Sequence, residues 1–462
     1  LHVEATLKIA ILGAGGVRTP LIVEAMARRQ ARIGLTELAL MDVDAQRLEI
    51  IGTLTGATEQ NGSLLFKIAR TTDARVALAG ADFVITTFRV GGIASRIVDE
   101  RVPLRYGVLG QETTGAGGFA MAMRTIPVLL DYIKLMRELC PNAWLVNFAN
   151  PAGLLAEAAV RAGGWKRTVG ICDAPHTMGR VAAALAHVPA DELDLDYFGL
   201  NHLGWLRAAY HDGRDYLPAF IASSARAGTL PGLPFTNEEY AGLGMVPNEY
   251  LFYYYHSREA VNNILGAGQT RGEMIAAWND RLFAELGALH AAGDLDGMQR
   301  TYRTYLEQRG GTYMVGETGH AHDLASLPSA ILSAIAGEGY AGVALDLIEG
   351  LIGVRPHPMI LNVANRGAID CMGDDDVVEV PVYVGKGLVR PLAVRPLPGA
   401  PLGLMQQVKA YEHLTIAAAT EGSYVKAVQA LTVHPLVQDH RIAQAIVDDY
   451  RVQHAGQFPE LT

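Results

Sequence analysis

The chain has 462 residues, half of them apolar, and 38 basic against 48 acidic side chains give a formal net charge of −10. That balance excludes a general nucleic-acid or anionic-membrane binder, which needs clustered Lys and Arg. No apolar run approaches the roughly 18–20 residues of a membrane-spanning helix.

The N-terminal "LKIAILGAGGVRTPLIVEAMARR" reads as a buried strand, a glycine turn and an amphipathic helix. Gly13, Gly15 and Gly16 stand at the turn, where glycine lets the backbone approach a diphosphate that faces the helix N-terminus. The GxGxxG spacing is incomplete, with Arg18 or Thr19 where the third glycine would fall, so taken alone the motif fits a simple tight turn equally well. The next segment, "LTELALMDVDAQRLEII", predicts a second strand ending at Asp42, followed by a helix. An acid at that end can accept hydrogen bonds from an adenosine ribose, whereas Asp44 reads as a helix cap. "ADFVITTFRVGG" and "CPNAWLVNFANPAG" are further strands, with a helix from about Leu154. Their carboxyl ends carry Arg89, Asn147 and Asn150, the edge at which ligands bind in such sheets. Strands alternating with helices predict a Rossmann-like, doubly wound parallel sheet over residues 1–195, a dinucleotide-binding domain.

From residue 196 the pattern changes. "YFGLNHLGWL", the aromatic "NEYLFYYYH", long helical stretches, short strands near 378–397 and two terminal helical segments predict a C-terminal α+β domain over 196–462. This domain is expected to serve catalysis, substrate binding and oligomerisation. Cysteines number three, widely spaced, so a disulfide framework is not expected and a reducing cytoplasm is. Cys140 and Cys371 read as core packing. Cys172 in "GICDAP" and His202 in "GLNHLGW" could be a thiolate–imidazole metal pair or two unrelated core residues, and the residues alone leave both open. His320 and His322 in "GHAHDL" read as surface histidines rather than a second metal site.

The phrases "FRVGG", "DERVPLRYGVLGQETTGAGGF", "RTIPV", "NFANPAG", "GICDAP", "GLNHLGW", "VPNEYLFYYY", "QTRGEM" and "NVANRGAI" run in order over nearly the whole chain. With them the sequence resembles family 4 of the glycoside hydrolases, the NAD- and metal-dependent group. The resemblance implies a lactate/malate dehydrogenase-like fold, NAD at Gly13, Gly15, Gly16 and Asp42, and a divalent metal, usually manganese, on Cys172 and His202. It implies cleavage by elimination and addition. NAD takes hydride from C3 of the sugar, a base removes the acidified C2 proton, the leaving group departs, water adds, and hydride returns.

Tyr250 matches the family's base. A free tyrosine, with a pKa of about 10, needs a neighbouring cation to act near neutrality, and Arg271 is the candidate for that cation or for a substrate contact. Asn150 is expected on the sugar hydroxyls, and Glu112 near the metal, its surrounding residues or the substrate, with a structural hydrogen bond as the alternative. Arg89 is expected to fork onto a 6-phosphate, with a structural ion pair as the alternative. Asp173 resembles the leaving-group acid of the 6-phospho-α-glucosidases, while the breadth of the match resembles the β group. The "GAGGVRTP" loop lacks the serines common there. The expectation is therefore a 6-phospho-β-glucosidase acting on a phosphorylated disaccharide or glucoside. A 6-phospho-α-glucosidase or other family 4 glycosidase is the alternative, and an NAD-dependent sugar dehydrogenase is the alternative class. A cytoplasmic homodimer or homotetramer is expected, with neither nucleic-acid nor membrane partners.

Overall fold

The first strand, β1 (Leu7–Leu12), is a continuous apolar run whose last four residues are buried. Such a run belongs to a strand covered on both faces rather than to one with a wet side. In the computed structural model, which describes residues 7–60, 64–227, 234–320, 329–336 and 339–462, β1 is the centre of a parallel sheet. It pairs with β2 (Leu35–Met41), which pairs with β3 (Lys67–Thr71). On its other side come β4 (Phe83–Thr86), β5 (Trp144–Asn147) and β6 (Thr168–Gly170), all parallel. Strand order therefore reverses between β1 and β4. At such a reversal the loops leave in opposite directions and open a crevice at the carboxyl ends of the strands.

The C-terminal half does not build a separate sheet. β7 (Asp194–Leu200) and β8 (Leu203–His211) form a hairpin, extended by β9 (Arg214–Asp215) and β10 (Val246–Pro247). β11 (His357–Ala364), β12 (Val377–Gly385) and β13 (Leu388–Pro391) form a meander. β11 joins β6 antiparallel at Asn362 and Gly170, and β12 joins β7 at Glu379 and Gly199. Among the described residues this makes one 13-stranded sheet. At its joint β11 and β12 stand between β6 and the β7–β8 hairpin.

Two contacts set the helices over this sheet. The hairpin of helices Arg271–Ala292 and Leu295–Gly311 packs Ile275, Leu282, Leu286 and Met298 against Ile50, Ile51 and Leu54. From it the Tyr302 hydroxyl donates to Val17 O at 2.6 Å. The hairpin is thus fastened to the glycine turn. The second contact is a buried charge network at the sheet joint. Lys409 Nζ donates to Glu157 at 2.6 Å, to Glu412 at 2.5 Å and to Val377 O at 2.8 Å, and Glu157 also accepts from the Val377 amide. His413 and Arg161 complete the set on Asp376. Cys140 is buried as expected, but Cys371 is exposed. Its neighbours in "DCMGDDD" are polar, so the reading of that thiol as core packing is corrected.

Taking two carboxylates out of water is costly unless a cation meets them. Lys409→Met is therefore expected to lower unfolding free energy by about 3–5 kcal/mol, read by denaturant unfolding, because Glu412 keeps its burial and loses its ion-pair partner while Glu157 is left with Arg161 and His413 alone. A second expectation is pH-dependent. Hydrogen bonds to Asp376 and Glu157 push His413 up to about 9 from 6.5. The folded chain then holds that proton more tightly than the unfolded chain. The stabilisation is complete below the unfolded value and is lost as pH rises through the folded one. His413→Gln should flatten the fall of the thermal midpoint between these two values. A slope identical to the parent's would contradict the assignment.

Candidate active site

The turn after β1 is closed by its own backbone. Gly13 N and Ala14 N both donate to Met41 O at 2.9 Å. Gly13 has φ +95°, and a Cβ there would stand 2.4 Å from Phe88 N, so only glycine fits. Gly15 N donates to Asp42 Oδ2 at 2.8 Å, and a Cβ on Gly15 would press on that same oxygen. Asp42 is thereby fixed at the end of β2 beside the turn, and its other oxygen accepts from Asp44 N. Asp44 caps the following helix through Arg47 N. Gly13, Gly15, Gly16 and Asp42 form one close-packed rim of the crevice, and Arg18 follows as the N-cap of helix Thr19–Ile33.

Cys172 lies just past β6, before helix Ala174–Ala186. Its thiol is buried, and burial with the carboxylates of Glu379 and Asp173 pushes it up. A thiolate here needs a cation beside it. His202 sits in the turn between β7 and β8 with φ +63°, a left-handed backbone uncommon outside glycine. Its ring is stacked on Tyr250, with centroids 3.6 Å apart and planes 2° from parallel.

The hydrogen bonds of this ring assign its proton. Gln111 Oε1 accepts from Thr113 N, Thr113 Oγ1 and Thr114 N. With its hydroxyl proton committed to Gln111, Thr113 Oγ1 can only accept from His202 Nδ1, at 3.2 Å. The lone pair is left on Nε2, which is buried and has no hydrogen-bond partner among the described residues. Burial holds the imidazole neutral, with its pKa down to about 3. A buried acceptor without a donor is costly. A neutral imidazole whose other nitrogen is pinned is the usual form of a metal ligand. The donor set thus fits a divalent metal.

Tyr250 lies against His202 and near enough to Cys172 for their charges to interact. Tyr250 N donates to Asn248 Oδ1 at 3.0 Å. Its phenol is pushed well up by burial and by Glu249, and Glu249 is itself raised to about 8 by burial against a hydrogen bond from Tyr313. Asp173 is bonded to Tyr340, and burial pushes its carboxyl up against the pull of Arg18. Asn150 is half-buried before Pro151, in a loop that Asn147 braces through Ala149 O and Ala152 O. Arg89 Nη2 stands 2.5 Å from Glu112 Oε2, and Arg96 Nη1 3.0 Å from the same oxygen. Burial would raise Glu112, but Arg89, Arg96 and Arg309 outweigh it and bring its carboxyl down to about 2.

Arg271 departs from expectation as the cation beside Tyr250. Its guanidinium donates to Thr312 O, Thr312 Oγ1 and Arg309 O, and its charge falls on Tyr253 and Glu317. The cation within reach of Tyr250 is Arg18. Sequence reasoning missed Arg18, Arg96, Arg309, Thr113 and Gln111 as site residues. Gln111 and Thr113 lie in the quoted "GQETTG" and could have been weighed there, whereas Arg309 ends a polar helix and carries no signal. His322 lies outside the described residues.

Family models described as Family 4 glycosyl hydrolase and Family 4 glycosyl hydrolase C-terminal domain match residues 8–187 and 197–437. The chain belongs to family 4 of the glycosyl hydrolases. This family 4 chain is 34% identical to a Bacillus subtilis (strain 168) protein named "Probable 6-phospho-beta-glucosidase", over 98% of both. The 6-phospho-β-glucosidase of Thermotoga maritima, solved with NAD and glucose-6-phosphate, matches with a TM-score of 0.82 at 26% identity, covering 99% of this chain and 100% of that one. A 6-phospho-α-glucosidase from gut microorganisms, solved with NAD and Mn2+, matches at 0.81 and 29%, with the same coverage. Malate dehydrogenase from Plasmodium falciparum shares the fold alone, at 0.52 and 13% over 90% of this chain and 99% of that one. The Rossmann-like sheet with a C-terminal α+β part is the fold expected from the sequence.

Thr113→Val removes the acceptor for His202 Nδ1 while keeping the side-chain shape. Calorimetric titration of Mn2+ should show affinity lower by about 10–100-fold, the usual cost of losing such a partner. Unchanged affinity would contradict the proton assignment or the ligand role of His202.

Proposed function

We propose that this family 4 enzyme hydrolyses 6-phosphoglucosides, the β-linked ones by preference, with bound NAD and a divalent metal such as Mn2+. The observation that carries the reading is the bare, buried Nε2 of His202 stacked against Tyr250. The names of the relatives support the substrate class. Residues 1–195 serve as the cofactor-binding unit and 196–462 as the catalytic and oligomerisation unit. The enzyme works in the cytoplasm as a homodimer or homotetramer.

Gly13, Gly15, Gly16 and Asp42 would hold the dinucleotide, and Cys172 and His202 the metal. When bound, the dinucleotide supplies a hydride acceptor for the sugar C3 and the metal supplies Lewis acidity to the neighbouring oxygens. Tyr250 removes the C2 proton. The face-to-face contact with His202 fixes its ring, and the charge of Arg18 favours its phenolate. Asp173, held by Tyr340 and raised by burial, gives a proton to the departing oxygen. Asn150 meets the sugar hydroxyls. Arg89, braced by Glu112, turns its remaining donors to the 6-phosphate. Arg271 fastens Thr312 and Arg309 and so positions the substrate end of the site.

A second reading, a 6-phospho-α-glucosidase, is favoured by one observation. The raised carboxyl of Asp173 directly follows Cys172, where an acid suits an α-linked leaving group. Nitrophenyl α- and β-glucosides, each with and without 6-phosphate, separate the two when assayed with NAD and Mn2+. The β-linked phosphorylated substrate should turn over fastest, without net NADH. Preference for the α-linked phosphate would install the second reading, and NADH formed in proportion to product would contradict both. Asp173→Asn should slow substrates with alkyl leaving groups by about 10²–10⁴-fold and nitrophenyl ones far less, because nitrophenolate departs without a proton. Equal losses on the two substrate types would remove Asp173 from the acid role.

A further inference from the structure

Five guanidinium groups gather where the glycine turn meets the end of the helical hairpin. Arg89 and Arg96 are neutralised in place. Arg89 pairs with Glu112 at 2.5 Å, while Arg96 pairs with Glu100 at 2.7 Å and shares Glu112 at 3.0 Å. Arg271 spends its donors on Thr312 and on the Arg309 carbonyl.

Arg18 and Arg309 are different. Among the described residues neither has a carboxylate within ion-pair distance. Arg18 Cζ lies 4.5 Å above the Tyr340 ring. The carboxylate of Asp173 acts on it only from beyond ion-pair distance. Arg309 donates to the Tyr305 hydroxyl at 2.9 Å. Burial and the like charges of Arg18 and Arg96 pull Arg309 down against the favourable Tyr305 phenol. A guanidinium does not give up its proton in a protein, so the crowding stays until an anion enters. The frame that holds the two cations together is rigid. Tyr305 donates to Asn279 at 2.7 Å, and Tyr302 donates to the carbonyl of Val17, the residue before Arg18, at 2.6 Å. Glu100 and Glu112 pair with Arg96 and Arg89, and Glu112 reaches Arg18 and Arg309 only at longer range, so the charge left over on Arg18 and Arg309 matches a phosphoryl dianion.

We propose that Arg18 and Arg309 form a two-sided phosphoryl clamp, with Arg18 reaching from the glycine turn and Arg309 from the end of the helical hairpin. Planar, forked donors on two walls suit the oxygens of a phosphate monoester or diphosphate. The phosphate comes from the sugar or from the dinucleotide, and only that choice rests on the glycosidase reading.

The test uses the full chain without added metal and follows its thermal midpoint during titration with inorganic phosphate. Phosphate should raise the parent's midpoint. In Arg18→Ala and Arg309→Ala the apparent affinity should fall by about tenfold or more, the scale of a lost charge-assisted pair. Arg309→Lys, which keeps the charge and loses the fork, should fall between. Without ligand, Arg309→Ala should melt no lower than the parent, because it removes a crowded cation. A purely structural arginine would shift that midpoint down. Parallel titrations with glucose 6-phosphate against glucose, and with NAD against adenosine, identify the source. A loss confined to glucose 6-phosphate assigns the sugar phosphate, and a loss confined to NAD assigns the diphosphate. Parent-like affinity for phosphate, glucose 6-phosphate and NAD in both alanine variants would overturn the clamp, as would a parent that phosphate does not protect. A chain that cleaves no phosphoglucoside yet loses phosphate protection in both variants would overturn the proposed function and leave the clamp standing.

Discussion

One proton placement organises the centre of this molecule. The amide oxygen of Gln111 takes the hydroxyl proton of Thr113, the Thr113 oxygen takes Nδ1–H of His202, and the lone pair of His202 is left facing inward. Burial keeps that ring neutral and makes an unmet lone pair costly. The same ring is one face of the stack that fixes Tyr250. The bare Nε2 and the Tyr250 ring are thus oriented together, and the imidazole is held by a relay that begins in the loop before helix Gly115–Leu139.

Around this neutral centre the charges are arranged by opposition. Burial raises Cys172, Asp173, Glu249 and Tyr250 toward their protonated forms. Arginines hold Glu112 ionised. A divalent cation between Cys172 and His202 would reverse the balance on the thiol and the phenol together. The protein's own part is to keep these groups close and dry. Strands β11 and β12 join β6, with Cys172 past its end, to the β7–β8 hairpin that carries His202, and the Lys409 network fastens the start of β12 to Glu157.

The parallel half was legible because a buried strand, a glycine turn and an acid at the next strand end are local signals. Cys172, His202 and Tyr250 stand in compact phrases and were singled out through resemblance. The joint itself was not legible, since Gly170 meets Asn362 across nearly two hundred residues of intervening chain and no local pattern encodes that pairing. Arg18 and Arg309 were missed for a related reason. Each is a single arginine at a helix end, which in sequence looks like a solvated charge. Only the hydrogen bond from the hairpin's Tyr302 to Val17 shows that the chain segments carrying them meet. Arg271 was expected as the cation beside Tyr250 or as a substrate contact. The fold spends its guanidinium on backbone carbonyls of the same hairpin.

The central claim is that Cys172 and His202 share one metal. X-ray absorption at the manganese edge of the Mn2+-loaded protein addresses it without relying on turnover. The account predicts a sulfur scatterer and an imidazole signature in the parent, with the sulfur path absent in Cys172→Ser and the imidazole signature absent in His202→Ala. A coordination shell made only of oxygen, unchanged by either substitution, would contradict it.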